Sequence, residues 1–404
     1  METAASAGTG GDVSEDRLTE FDPNWSSLHD DPYGTYAALR GQPAMVQSRA
    51  VGWVIARYDD ASAAMRDHQR FRSDWGPKGP IPANIPRMRE TSDEAEHTYA
   101  SFPVLPIEVD PPEHKAYRRI LHAMFAAQAI RRDWEAEARQ IGERLFDDLL
   151  TRPEAEITTQ LAMPMSGLVL SAVLGIPSQD RATFQVMTQD VDLNLDDLLE
   201  YLDSAIDNAP GGAFQLLREA ELDGRPLTTE EKRGFGIVLI HAGWETTATA
   251  ISTMFLRLAT VPGLRDRLTR EPGLIRGAIE EFLRIDTPVQ AQWRTAACDL
   301  RLGGAQVRRA DKALLLLGSA NRDEAEFPGA DQVIVDRSPN RHLSFGVGVH
   351  RCLGAHLARL ELQIVLELAL ARLPEFVLDT GRPVAYTNGV VRVVHAVPLK
   401  FVSG

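Results

Sequence analysis

Phe345-Gly346-Val347-Gly348-Val349-His350-Arg351-Cys352-Leu353-Gly354 places one cysteine between a glycine-rich loop and a helical segment. The helix is read from Ala355 to Ala371, where Leu357, Leu360, Ile364 and Leu368 recur at helical spacing. A sulfur at a helix N-terminus meets free backbone N–H groups and the positive end of the helix dipole, and both favour a thiolate. Gly346, Gly348 and Gly354 admit backbone angles and close approaches that side chains block. A flat ligand can therefore lie against the loop. Residue types alone leave two readings open: a reactive thiolate, or a buried structural cysteine, the commoner fate of a lone one.

Working outward, Glu281-Phe282-Leu283-Arg284 sets a carboxylate and a guanidinium at i,i+3 on one helix face, and Asp336-Arg337 follows downstream. An ordinary surface ion pair gives the same pattern. Thr228 with Glu231 forms a capping box, and a helical pattern runs from there until Pro262-Gly263. A helix of about 30 residues would be ~45 Å long and would cross the whole molecule. In its middle lies Ala242-Gly243-Trp244-Glu245-Thr246-Thr247. The Thr246 hydroxyl can bond back to the Ala242 carbonyl, open the helix beside Gly243 and leave room there. An exposed Glu and a helix-packing Thr are the plainer reading. Asp110-Pro111-Pro112-Glu113 reads as an N-cap Asp, Pro at the first helical position and Glu at N3. His114 and Arg118 then share one face of that helix; with Lys115 and Arg119 beside them, a solvated basic face is the alternative. Strands are expected at 45–55, 313–317 and 390–401.

The cysteine loop resembles that of the cytochrome P450 family, the haem-thiolate monooxygenases: Phe, Gly, Gly, His, Cys and Gly stand where that family has them. The likeness extends from about Phe21 to Phe401 and is to soluble bacterial-type members. It implies a mainly α fold with small β-sheets, a single large domain over 16–404 and a long central helix above the haem. It implies haem b (iron protoporphyrin IX), with Cys352 as the axial ligand of its iron. It implies that His350, His114, Arg118 and Arg294 hold the haem propionates. Thr246 would hydrogen-bond bound oxygen and Glu245 would relay protons. Glu281, held by Arg284 and Arg337, would serve folding. His342 and Cys298 receive no role.

The activity implied is insertion of one oxygen atom from O2, by hydroxylation or oxidative dealkylation, into a small to medium organic substrate. Electrons would come from a separate ferredoxin-type donor with its reductase, steered to Arg351, Arg359, Arg131 and Arg132. A peroxide-driven relative and a non-catalytic haem-binding or recruitment module are the alternatives. By family position the pocket draws on the loop before Asp110, on Val238, His241, Ala242, Val289, Gln290 and Ala291, with Val390 and Val391 closing it. His241 stands where an apolar residue is commoner, and either a polar substrate or a backbone group would satisfy it. The stretch 176–212 looks short for lid helices.

Composition sets the outer limits. The 404 residues carry 43 Lys plus Arg against 57 Asp plus Glu, a net charge of −14, which argues against a nucleic-acid partner. Two cysteines exclude a disulfide scaffold, a four-cysteine zinc site and a self-contained iron–sulfur cluster. The first fifteen residues are small and polar, which reads as a disordered tail without the apolar core of a secretory signal. No uncharged run of about 20 apolar residues suggests a membrane span. A cytoplasmic protein with reduced thiols is expected.

Overall fold

Thr228 starts the organising element. Its hydroxyl accepts the Glu231 amide at 3.2 Å, and Glu231 Oε2 accepts the Thr228 amide at 2.7 Å, closing the capping box. The helix that follows, Thr229–Thr260, runs for 32 residues, about 48 Å at 1.5 Å per residue. Every residue from Thr247 to Phe255 is buried. A helix enclosed on all sides has no polar face to show solvent, which is why apolar and small residues fill this stretch without amphipathic spacing.

The structure is a computed structural model that describes residues 18–29, 31–73, 104–189 and 195–402. In chain order its helices are α1 (Tyr33–Gly41), α2 (Tyr58–Arg66), α3 (Glu113–His122), α4 (Ala127–Leu149), α5 (Met163–Leu174), α6 (Arg181–Gln189), α7 (Leu195–Asn208), α8 (Gly212–Glu219), α9 (Thr229–Thr260), α10 (Leu264–Arg270), α11 (Ile275–Ile285), α12 (Leu317–Ala320) and α13 (Ala355–Arg372). A π-helical turn, Thr158–Ala162, leads into α5. The expected tail, 1–15, lies outside the described residues, as does most of the loop before Asp110.

Five strands make the main sheet: β1 (Val46–Ser48), β2 (Gly52–Ile55), β3 (Phe71–Arg72), and two later ones, Ala291–Ala296 and Lys312–Leu316. Numbered in chain order after β4 (Glu154–Glu156), β5 (Glu221–Leu222) and β6 (Arg225–Pro226), these two are β7 and β10. The short hairpin β8 (Leu300–Leu302) and β9 (Ala305–Val307) lies between them. The sheet order is β1-β2-β10-β7-β3, with β10 parallel to β2 and all other pairs antiparallel. The hairpin β1–β2 occupies the first expected strand region, and Lys312–Leu316 the second. The third holds β13 (Val393–Ala396), which pairs with β12 (Ala385–Thr387), and β14 (Pro398–Phe401), which lies between β11 (Phe376–Leu378) and β4.

The largest apolar core joins α4, α5, α9, α11 and α13, with Phe146, Leu161, Val173, Ile251, Phe255, Ile364 and Leu366 fully buried. The stretch read as a short lid holds α6, with 9 residues, and α7, with 14. Helix α7 lies directly on the α9 backbone at Gly236. A Cβ there would sit 2.6 Å from Leu202 Cδ1, and Arg233 pairs with Asp203 at 2.6 Å beside it. Among the described residues no helix is long and apolar enough to cross a membrane.

Candidate functional site

The cysteine loop is fixed from both ends. The Cys352 amide donates to the Phe345 carbonyl at 2.7 Å and the Gly346 amide to the Leu343 carbonyl at 2.8 Å. Gly346 and Gly348 take φ of +64° and +79°, the left-handed region that glycine enters without strain. At Gly348 a Cβ would also lie 2.7 Å from the Met65 carbonyl oxygen, so the loop rests on the end of α2. Cys352 precedes α13 by three residues. Burial pushes its thiol pKa up, while the Gly354 amide and Arg118, Arg359 and Arg351 pull it the other way. The sulfur lies deep in the protein yet its residue is accessible to a water-sized probe, so it faces an internal hollow.

Helix α11 holds the loop's approach. Glu280 takes two hydrogen bonds from Arg359, at 2.6 and 2.7 Å, and one contact from His342 Nε2 at 3.0 Å. The Arg359 guanidinium lies 4.3 Å from the Phe345 ring centroid. Ser344 donates to the Leu283 carbonyl at 2.6 Å. The neighbouring Glu281 is 0% exposed and accepts from Arg284 at 2.8 Å twice, from Arg337 at 3.1 Å, from the Ile334 amide at 2.9 Å and from Asn340 at 3.1 Å. The i,i+3 pair is thus an interior one, with Arg337 as its third member, and not a surface bridge.

A second group forms where α3 begins. Asp110 does not cap that helix with its side chain: α3 starts at Glu113 with Pro112 at its N-cap and no side-chain cap bond. The Asp110 carboxylate has better partners. Its Oδ1 meets His350 Nε2 at 2.9 Å, and its Oδ2 accepts the Ser73 amide at 2.8 Å. Burial pushes its pKa up, but the His350 and Ser73 bonds outweigh that and hold it below the usual carboxylate value. One nitrogen of His350, expected to bind a propionate, is therefore engaged with Asp110. His114 is buried with its ring centroid 4.3 Å from that of His350, and its Nδ1 has no hydrogen-bond partner. Burial, then His350 and Arg118, lowers its pKa from 6.5 to about 4. Arg118 donates to the Arg351 carbonyl at 2.6 Å. Arg294, on β7, is 6% exposed and donates to the Trp293 carbonyl at 2.7 Å. Burial lowers its pKa to about 10, with Asp110 acting the other way. Neither Arg118 nor Arg294 forms an ion pair among the described residues.

On α9, the Thr246 hydroxyl donates to the Ala242 carbonyl at 2.8 Å, as the sequence suggested. The expected opening does not follow, because α9 is helical without interruption through this turn. A side-chain hydroxyl adds a second bond to a carbonyl that has two lone pairs, so the ladder survives. His241 and Glu245, one turn apart, lie deep in the protein yet are accessible to a water-sized probe. Burial alone shifts both toward their neutral forms, raising Glu245 and lowering His241.

The structure corrects two expectations. Gln290 and Ala291 are 0% exposed and turn into the core instead of a pocket. Gln290 Nε2 donates to the Thr287 carbonyl, and its Oε1 lies where a Gly318 Cβ would be. Val289 and Val391 do bridge to each other. Of the four arginines read as a basic patch, Arg359 is bound to Glu280, Arg131 to Glu135 at 3.2 Å and Arg132 to Asp133 at 2.6 Å. Exposed positive charge lies instead on α3, where Lys115 and Arg119 follow at i and i+4, with Arg351 nearby through Arg118. The Asp110–His350 contact and the Glu280 hub leave no mark in residue order, since their partners lie far along the chain.

Comparison with known proteins gives this arrangement its context. The profile of the family described as Cytochrome P450 matches residues 156–382. A cytochrome P450 of Bacillus subtilis (strain 168) is 30% identical, over 95% of this chain and 97% of its own. The cytochrome P450 monooxygenase PikC of Streptomyces venezuelae is 31% identical, over 93% and 92%. The solved structure of cytochrome P450 CYP109Q5 from Chondromyces apiculatus superposes with a TM-score of 0.84 at 27% identity, covering 96% of this chain and 99% of that one. A glycine-bounded cysteine at the head of α13, a long enclosed helix across the molecule and these likenesses together place the chain in the cytochrome P450 family of haem b monooxygenases.

Proposed function

We propose that haem b lies between α9 and the Cys352 loop, with the Cys352 thiolate on its iron and its propionates toward Arg294, Arg118 and His114. One observation carries this reading: Arg294 is a buried cation that forms no ion pair among the described residues, with Asp110 acting on it only through space. A protein does not leave such a charge open without cost, and a propionate carboxylate supplies what it lacks. His114, neutral and short of a partner at Nδ1, and Arg118 extend the same demand. His350 contributes through the ring it braces against Asp110. When bound, the haem supplies O2 activation and transfer of one oxygen atom to substrate.

The protein's own part is ligation, positioning and proton supply. The Cys352 amide is committed to Phe345, which fixes the sulfur's direction. Burial raises the Glu245 carboxyl pKa, which makes it a readier proton carrier at the hollow than an exposed carboxylate. Thr246 Oγ1, its proton committed to the Ala242 carbonyl, presents lone pairs that accept a hydrogen bond from water in the hollow. His241 and Ala242 border the same hollow, where a small to medium organic substrate is hydroxylated or dealkylated. A ferredoxin-type donor with its reductase docks on the α3 face through Lys115 and Arg119, charges that stand apart from the overall −14.

The reduced, carbon monoxide-treated spectrum tests the core of this reading. Wild-type protein shows the red-shifted Soret band of a thiolate-ligated haem, and Cys352→Ser loses it. An unchanged band in that variant removes Cys352 from the iron. For the docking face, turnover driven by an acidic ferredoxin falls as salt is added, and salt-independent turnover would count against it.

A further inference from the structure

The turn of α9 that carries Glu245 and Thr246 is gripped from behind by α5. Trp244 Nε1 donates to the Met163 carbonyl at 3.1 Å. The Ser166 hydroxyl, 0% exposed, lies 2.8 Å from the Trp244 carbonyl and 3.3 Å from the Gly243 carbonyl. Thr247 Oγ1 adds a contact to the Gly243 carbonyl at 3.4 Å. These carbonyls also serve the helix ladder, so the hydroxyls occupy lone pairs that water would otherwise take. Gly243 permits the close approach, since a Cβ there would sit 2.8 Å from Leu170 Cδ1. Two turns on, Thr158 Oγ1 donates to Ser252 Oγ at 3.1 Å and continues the polar seam along the π-helical turn.

Adjacent residues on a helix point about 100° apart. Trp244 faces α5, so Glu245 and Thr246 are carried round toward the other side. A grip on Trp244 therefore sets where the next two side chains aim. We propose that Trp244 and Ser166 are positioning residues. They fix the rotation of α9 at Ala242–Thr247 and seal its α5 side, so that water reaches this turn from the hollow alone. The proposal rests on the reading of Glu245 and Thr246 given above.

The test uses the haem-loaded, reduced protein with carbon monoxide as the probe. The infrared C–O stretch reports polarity and hydrogen bonding beside the iron, which packing loss elsewhere does not move. Trp244→Phe keeps an aromatic ring and removes the N–H; Ser166→Ala removes the hydroxyl. Each is expected to shift or split the C–O band while the thiolate-type Soret band persists, and Ser166→Thr restores the original band. An unchanged band in both variants overturns the proposal. If Trp244→Phe fails to load haem, Ser166→Ala alone decides. Thr246→Ala separates the two layers. If it moves the band while the other two do not, only the grip is wrong. If none moves it, the reading of the turn fails as well.

Discussion

Two buried charge clusters in this molecule are built in opposite ways. Around α11, Glu281 is met by Arg284, Arg337, Asn340 and the Ile334 amide, and Arg284 spends its remaining N–H groups on the carbonyls of Asn321, Ala330 and Gln332. At the head of α3, Arg294 and Arg118 donate to carbonyls and His114 Nδ1 has no partner. The carboxylate there, Asp110, is divided between His350 and the Ser73 amide. A saturated cluster needs nothing from outside and serves the fold. An open one leaves its cations without an ion pair among the described residues and so has donors to give an anion.

The largest expected effect breaks the saturated side. Glu281→Gln leaves the Arg284 and Arg337 guanidiniums without their shared counter-charge and costs about 3–5 kcal/mol, read as the denaturation free energy. A loss under about 1 kcal/mol would make the cluster no better than a surface bridge. Next comes the open side, where the sign reverses. Arg294→Met is expected to leave the haem-free chain as stable as wild type or more so. The rate of haem loss to an acceptor protein should rise about 10–100-fold, the worth of a charged hydrogen bond of ~1.5–3 kcal/mol. If both properties fell together, Arg294 would belong with the saturated type.

The smallest effect concerns pH. The His114 pKa is lower in the folded chain, about 4, than the ordinary 6.5, so the unfolded state takes up the proton first. Stability of the haem-free protein is therefore complete above 6.5 and falls as pH drops toward about 4. His114→Phe should flatten that slope in urea titrations. A slope that survives the substitution would assign the titration to another group.

What could be read from the sequence follows from how local each interaction is. Thr228 and Glu231 form their box within one turn, and Glu281 and Arg284 sit at i,i+3, so residue order alone exposed both. The cysteine loop was legible because its glycines, histidine and cysteine lie within ten residues. Asp110 misled because its neighbours Pro111 and Glu113 imitate a cap, whereas its actual partners, Ser73 and His350, are 37 and 240 residues away. Gln290 looked available to a pocket because strand alternation does not say which face meets the core. Arg359 looked free because charge in a sequence carries no record of a distant partner, here Glu280, whereas the partners of Arg131 and Arg132, Glu135 and Asp133, stand close by in the chain.

Gly236 has one more consequence. Ten residues along the same helix from Thr246, about 15 Å away, α7 is seated on bare backbone because no methyl group intervenes. The distance between α7 and α9 is therefore set by a hydrogen atom. Any larger residue there must push Leu202, and the helix bearing it, outward.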